Sequence, residues 1–388
     1  MERETMMELM KDIYTSSEAA CYLGMTSQHF DQLVYDHQIE PIKISQSESF
    51  FYKDDLDQLK VLHKRKQNGS FEINNTFVRD AILYYTIQQY FHHNDQRTSK
   101  FIDLIKREYH FDEHAGLKNN IPFLAHLLKV TEKEFYDCYL MVKHSFLTLP
   151  KDVVLVKKGD LNYSRLLELT NIAPPYLFCR GDVTLLKEKP VCVVGSRNAS
   201  HEGMMKTKHL VKSLATKNIV VAAGLAKGID TMAHQTTLEN HGRTIAVLGT
   251  PIDQYYPKEN RALQDEIIKK GLVVSQFPPC NQVERWNFPT RNGVMSGLSI
   301  GTIIMEAGEK SGALKQADYA LKQGRDVLIP FSLAQDPSLK WPSQYIKKGA
   351  RPFESWLDLV EFFNHNRLFH NILYDRDVSV MEAVDILL

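Results

Sequence analysis

The sequence offers little that would place it in a membrane, in an oxidising compartment or around a metal. No run of about 18 uninterrupted apolar residues occurs, the length that a spanning helix needs. The opening MERETMMELMKD alternates charges where a signal peptide carries an apolar core. The expectation is a cytoplasmic protein. Five cysteines stand among 388 residues. Cys21, Cys138, Cys179, Cys192 and Cys280 are far apart and form no C-x-x-C pair, which argues against a disulfide framework and against a zinc site. The glycine fingerprint G-x-G-x-x-G of dinucleotide-binding folds is missing as well. In VCVVGSRNASHEG, residues 191–203, Gly195 is followed by Ser196 and Arg197, and the next glycine is Gly203.

What is present is the composition of a water-soluble globular chain, 43% hydrophobic and 24% charged, long enough for two or three domains. The formal net charge of zero conceals an asymmetry. Residues 151–351 carry 28 Lys and Arg against 18 Asp and Glu, whereas the segments on either side are acidic. A basic middle permits an anionic partner.

Three units and a tail follow from the patterning. Residues 1–66 hold Thr15-Ser16-Ser17 ahead of Glu18-Ala19-Ala20, a turn at Gly24, a second helical stretch, the strand-like Phe50-Phe51-Tyr52 and a further helix start at Asp54-Asp55-Leu56. This is helix-turn-helix spacing with a wing, and Ile13–Lys60 resembles the excisionase or MerR type of winged helix. The segment Ile13–Lys60 holds three lysines against eight acids, and its recognition-helix candidate Thr26–Asp36 has no Lys or Arg. It is therefore expected to bind DNA poorly by itself, with Gln28 and His29 left to touch base edges and Lys64, Arg65 and Lys66 to touch phosphates. Residues 67–150 are aromatic-rich and helical in period, as in VRDAILYYTIQQYF at 78–91, and show no chemistry. Residues 151–365 alternate short apolar runs, VCVVG, IVVAAG, TIAVLG, LVVSQ, TIIMEA and DVLIP, with helical segments. That pattern predicts an α/β fold built on a Rossmann-like, doubly wound parallel sheet, preceded by the winged helix-turn-helix and the all-α segment. Residues 366–388 form a C-terminal tail.

Ligands of such sheets bind outside the carboxyl ends of the strands. The loops at that edge are Gly195-Ser196-Arg197, Gly224-Leu225-Ala226-Lys227-Gly228-Ile229-Asp230, and Gly249 through Tyr256-Pro257-Lys258-Glu259-Asn260. Each holds a glycine that lets backbone N–H groups approach an anion, and two add a cation beside it. In RWNFPTRNGVMSGLS, 285–299, Arg285, Trp286, Phe288 and Arg291 fall within seven residues. Cations interleaved with aromatics suit a single strand, whose phosphates need charge and whose bases need a surface to stack on.

Taken together, these blocks resemble the DNA-processing protein A (DprA/Smf) family. The shared pattern is the G-S-R turn, a G-L-A-[RK]-G-I-D-x-x-A-H block, T-I-A-V-L-G followed by Y-P-x-x-N, an N-F-P-x-R-N block, and E-A with S-G a few residues later. Flanks at 163–182 and 344–353 are similar too. The resemblance implies a single-stranded DNA-binding protein without catalytic residues, cofactor or metal. It further implies a homodimer that hands the strand to the RecA recombinase in recombination or in the processing of incoming DNA. Residue by residue it carries DNA contacts onto Gly195, Ser196, Arg197, Lys227, Phe288 and Arg291, and onto Arg285 near a basic position of some relatives. The sequence departs from the family at Gly293, where an arginine is usual, at Gln276, at Ala313 and Gln316 within the S-G-[ST]-L-x-T-A block, and at Phe331.

Other roles stand beside these. The glycines also make tight strand-to-helix turns. His234 fits a packing residue better than a base, and Glu306 has the alternatives of catalysis and of fixing neighbouring loops through backbone N–H groups. Gly301-Thr302 ahead of Glu306 is faintly similar to the G-G-x-G-T-x-x-E loop of LOG-type phosphoribohydrolases, which keeps a nucleotide sensor or hydrolase as the alternative class. An adaptor in defence against foreign DNA is a third.

Overall fold

The runs VCVVG, TIAVLG and TIIMEA are β-branched and apolar on both faces, so they are stable only where helices cover both sides of a sheet. In the computed structural model they do form such strands. The structure describes residues 76–109 and 117–365 continuously and, before them, residues 13–23 and scattered positions from 27 to 57. Gln28, His29, Lys64–Lys66 and the tail 366–388 lie outside the described residues.

Two compact units emerge, residues 1–72 with 159–163, and residues 73–158 with 164–388. In the first, β1 (Ile13–Thr15), β2 (Lys43–Ile44) and β3 (Ser49–Tyr52) form an antiparallel sheet in the order β1-β3-β2, and α1 spans Ser16–Leu23. Thr15 and Glu18 cap that helix reciprocally: Thr15 N donates to Glu18 Oε2 at 2.9 Å and Glu18 N to Thr15 Oγ1 at 3.4 Å. Phe30 and Phe51 meet edge to face at 4.9 Å in its core.

The second unit begins with four helices, α2 (Thr76–Gln89), α3 (Asp95–Tyr109), α4 (Leu117–Leu128) and α5 (Glu132–Leu147). Then come β4 (Val154–Lys157), α6 (Arg165–Glu168), β5 (Tyr176–Gly181), β6 (Val191–Gly195), α7 (His201–Thr216), β7 (Val221–Ala223), α8 (Ile229–Glu239), β8 (Thr244–Leu248), α9 (Arg261–Lys270), β9 (Leu272–Ser275), α10 (Asn287–Leu298), β10 (Gly301–Glu306) and α11 (Gly312–Lys322). The chain ends through β11 (Asp326–Pro330), α12 (Phe331–Ala334), α13 (Trp341–Lys347), β12 (Arg351–Phe353) and α14 (Trp356–His365).

The nine strands form one sheet in the order β12-β11-β10-β6-β7-β8-β9-β5-β4. β6 to β12 are parallel, and β5 and β4 add an antiparallel margin beside β9. The six apolar runs are thus six of the seven parallel strands.

The expected boundary near residue 150 is not a boundary of packing. Tyr85 of α2 lies 5.8 Å from Tyr176 and 5.9 Å from Phe178 of β5, and Phe146 of α5 lies 5.7 Å from Phe178. The aromatic residues of the helical segment cover the antiparallel margin of the sheet, which would otherwise expose apolar surface. The helices and the sheet therefore share one unit.

Candidate nucleic-acid interface at the strand switch point

From β6 the chain winds through β7 and β8 to β9 on one side, and β10 returns to the other side of β6. The crossovers diverge between β6 and β10, and their carboxyl ends leave a crevice. A cleft of about 600 Å³ opens there, within the usual range for a site that holds a nucleotide-sized ligand.

The turn after β6 forms its first wall. Ser200 caps α7 by accepting from Gly203 N at 3.0 Å. Glu306, at the end of β10, accepts from Ser200 N at 3.0 Å and from Ser200 Oγ at 2.6 Å. A β-carbon on Gly203 would stand 2.2 Å from Glu306 Oε2, so the carboxylate needs the glycine to reach the cap. Of the two roles foreseen for Glu306, the fixing of a loop is the one its geometry serves. Arg197 at the tip of the turn is exposed.

The second loop is tied to the first by backbone: Ile229 N donates to Ser196 O at 3.2 Å. Gly228, at φ +75°, brings its α-carbon so close to Ser196 O that a β-carbon would meet it at 2.2 Å. Asp230 is buried and accepts from Gly224 N at 3.0 Å and Ala226 N at 3.3 Å. Burial pushes its carboxyl up to about 6, against the opposing pull of the Arg291 guanidinium and of these N–H groups. Asn260 Nδ2 donates to Leu225 O at 2.9 Å and to Thr231 Oγ1 at 2.8 Å, so the third loop braces the second.

α10 supplies Phe288, whose ring lies on Gly249 (2.6 Å from where a β-carbon would be), and Arg291. Arg291 is 5% exposed; its Nη1 donates to Gly224 O at 2.7 Å and Val247 O at 2.5 Å, and its Nε to Asn292 Oδ1 at 3.0 Å. It ties the ends of β7 and β8 together while also lining the cleft.

Of the seven residues expected to contact DNA, the cleft gathers Gly195, Ser196, Arg197, Phe288 and Arg291. Lys227 and Arg285 are not among its lining residues. Lys227 Nζ instead pairs with Glu259 Oε1 at 2.6 Å on the surface, and Arg285 is exposed ahead of α10. Conversely, the cleft has a wall that sequence reasoning missed, made by Lys310, Ser311, Gly312, Ala313 and Lys315 at the N-terminus of α11. The S-G-A-L block pointed to this stretch, but isolated lysines carry no signal of their own. Gly293 faces Ile172 and Tyr319, and a β-carbon there would stand 2.6 Å from Ile172 Cδ1.

Three exposed cations and a helix N-terminus lining the same cleft as Phe288 make it suited to an anion beside a planar group. His234, fully buried, hydrogen-bonds Thr244 Oγ1 through Nδ1 at 2.8 Å; the Thr244 hydroxyl gives its hydrogen to Val221 O at 2.8 Å, which assigns Nδ1 as the donor. Burial pushes its pKa down to about 3, as befits a neutral packing residue. The five cysteines are free thiols. Among the described residues no cluster of His, Cys, Asp and Glu could hold a metal, and no helix is long and apolar enough to cross a membrane.

A sequence model of the family described as DNA recombination-mediator protein A matches residues 154–364, more than half of the chain. The DNA processing protein DprA of Bacillus subtilis is 40% identical over 190 residues, 48% of this chain and 64% of that protein. DNA processing protein DprA of Streptococcus pneumoniae is 41% identical over 192 residues, 49% of this chain and 67% of that protein. The X-ray structure of DNA processing protein A (DprA) from Streptococcus pneumoniae superimposes with a TM-score of 0.60 at 30% identity, covering 71% of this chain and 95% of that one. The chain thus spans about two thirds of the length of these two curated relatives.

Proposed function

The chain belongs to the DNA recombination-mediator protein A family through residues 154–364, and from that premise we propose that it binds single-stranded DNA in the cleft between the ends of β6 and β10. One observation carries the proposal: Arg197, Lys310 and Lys315 line a single cleft together with the aromatic side chain of Phe288. Phosphate oxygens meet guanidinium, ammonium and the N–H groups at the start of α11, and an unpaired base meets the aromatic wall. A duplex keeps its bases stacked on one another and offers nothing to that wall.

In this assignment Gly195 and Ser196 shape the turn, and Arg197 makes the charge-assisted contact. Arg291 holds the floor of the cleft from below. Lys227 and Arg285 meet the strand outside it. Binding without catalysis is favoured because both acids at this edge are engaged, Asp230 of the cleft lining by the N–H groups of Gly224 and Ala226 and Glu306 by Ser200. Family membership extends the proposal to a homodimer that passes the strand to RecA in recombination or in the processing of incoming DNA.

The test is a gel shift of the whole chain with single-stranded and duplex oligonucleotides at two salt concentrations. The proposal expects the single strand to bind more tightly, without strong sequence preference, and to weaken as salt rises. A preference for duplex, or tight binding of a mononucleotide with none of the oligonucleotide, would favour the nucleotide-sensor class instead.

A further inference from the structure

Two large aromatic side chains beside the cleft stay open to solvent: Tyr256 is 47% exposed and Trp286 45%. Both are held in place nonetheless. Trp286 packs edge to face on buried Phe277 at 6.2 Å, and the turn beneath it is fixed by Asn287 N donating to Glu284 O at 3.0 Å. Tyr256 packs on Phe288 at 5.1 Å, and Phe288 in turn lines the cleft. The aromatic surface is therefore continuous from the cleft lining outward to Tyr256, and Trp286, the residue before α10, is a separate exposed ring seated on Phe277.

The surroundings of these rings are charged. Arg285 is exposed beside Trp286, and Lys258 is exposed two residues after Tyr256. A protein-binding patch would carry contiguous apolar surface with few charges at its centre. Separate planar rings interleaved with cations match the alternation of base and phosphate along a single strand.

We propose that Trp286 and Tyr256 form a stacking ledge for unpaired bases of the strand that leaves the cleft past Phe288, with Arg285 beside its phosphates. The proposal rests on the single-strand assignment of the cleft and adds a second base-binding site to it. Its ligand class is a polynucleotide with unpaired bases; a mononucleotide seated in the cleft would not reach the ledge.

Trp286 reports on itself. Of the three tryptophans, Trp341 is 1% exposed and Trp356 is partly covered, with Lys217 Nζ 5.7 Å from its ring. The experiment follows two signals on the full chain: the anisotropy of a labelled oligothymidylate of about 16 nucleotides, which reads binding, and tryptophan emission with the unlabelled oligomer, which reads stacking. The expected results are quenching by the oligomer, none by thymidine monophosphate, and none in Trp286→Phe. Trp286→Ala, with an unchanged melting temperature, should bind about tenfold more weakly at an unchanged salt slope, and Trp286→Phe should recover most of the loss.

Normal oligomer binding with unchanged emission, or wild-type affinity in Trp286→Ala, overturns the ledge and leaves the cleft standing. A change in sedimentation of Trp286→Ala with unaltered DNA affinity assigns the ring to a second copy of the chain and also overturns it. No binding of the oligomer by the wild type overturns ledge and cleft together.

Discussion

The guanidinium of Arg291 rests on Gly224. A β-carbon at residue 224 would stand 2.6 Å from Nη1 and 2.7 Å from Cζ and Nη2, and Nη1 donates to the carbonyl of that same glycine at 2.7 Å. With its second bond to Val247 O, and Asp230 as the buried countercharge, this arginine joins the ends of two neighbouring strands. Arg291→Ala would leave two buried carbonyls without a donor and remove the positive charge whose field acts on buried Asp230. It should cost about 1–3 kcal/mol of stability, read as a lower urea midpoint. Gly224→Ala should also destabilise, because the guanidinium cannot withdraw without giving up both carbonyls. Wild-type stability in Arg291→Ala would return this residue to the role of a simple DNA contact.

The carboxylate of Glu306 acts on the turn after β6 through Ser200. Glu306→Ala removes the acceptor for Ser200 N and Oγ, and charge-assisted bonds of this kind are worth about 1–3 kcal/mol, with the lower end apt here because Ser200 is exposed. Single-strand affinity should fall with it, since Arg197 sits on the loosened turn. Gly203→Ala, which drives a methyl group against the carboxylate, should reproduce both effects. Thermal melts and a binding isotherm on the two variants check this together.

Lys227 should matter little. Its ammonium is paired with Glu259 at an exposed site, where such pairs contribute about 0–1 kcal/mol. Lys227→Ala is expected to leave the melting temperature within experimental error and to lower DNA affinity less than Arg197→Ala does. A larger loss than that of Arg197→Ala would show that the lysine leaves Glu259 when DNA binds.

His234 imposes a pH dependence of known sign. Its pKa in the fold, about 3, lies below the ordinary 6.5, so the unfolded chain binds the extra proton between those values. The stability it contributes is complete above pH 6.5 and is lost on acidification, at about 1.4 kcal/mol per pH unit. Asp230 and Asp95 run the other way: each is raised from 3.8 to about 6, so the fold holds their protons more tightly and loses stability as pH rises through that window. His234→Leu should therefore differ from wild type in slope, by about 1.4 kcal/mol per unit between pH 6 and 4. Urea unfolding of both proteins at pH 6 and pH 5 measures it, and parallel profiles would contradict the neutral, buried assignment.

The parallel strands were legible because each is covered on both faces and so reads as an unbroken apolar run. The antiparallel margin was less so: YLFCRG of β5 is as apolar as the others, but its cover comes from α2 and α5, which are far away in sequence and read as a separate domain. At the site, the glycine turns follow from their places at strand ends, and Phe288 and Arg291 from the resemblance of the N-F-P-x-R-N block. The bracing role of Arg291 is not legible, because a sequence shows a charge without showing whether it is buried; only packing on Gly224 reveals it. Lys310 and Lys315 were hidden for the opposite reason, since their meaning comes from lining the same cleft as Arg197, which is far from them in sequence.

The most direct test of the account is the single-strand affinity of the full chain carrying Arg197→Ala, Lys310→Ala and Lys315→Ala together, measured by anisotropy over a series of salt concentrations. All three side chains are exposed, so the melting temperature should be unchanged. The account predicts a loss of about 3 kcal/mol or more and a salt slope shallower by about 2–3 phosphate contacts, with Phe288 left in place. A triple variant that melts like the wild type and binds the strand with the same affinity and the same salt slope would contradict it.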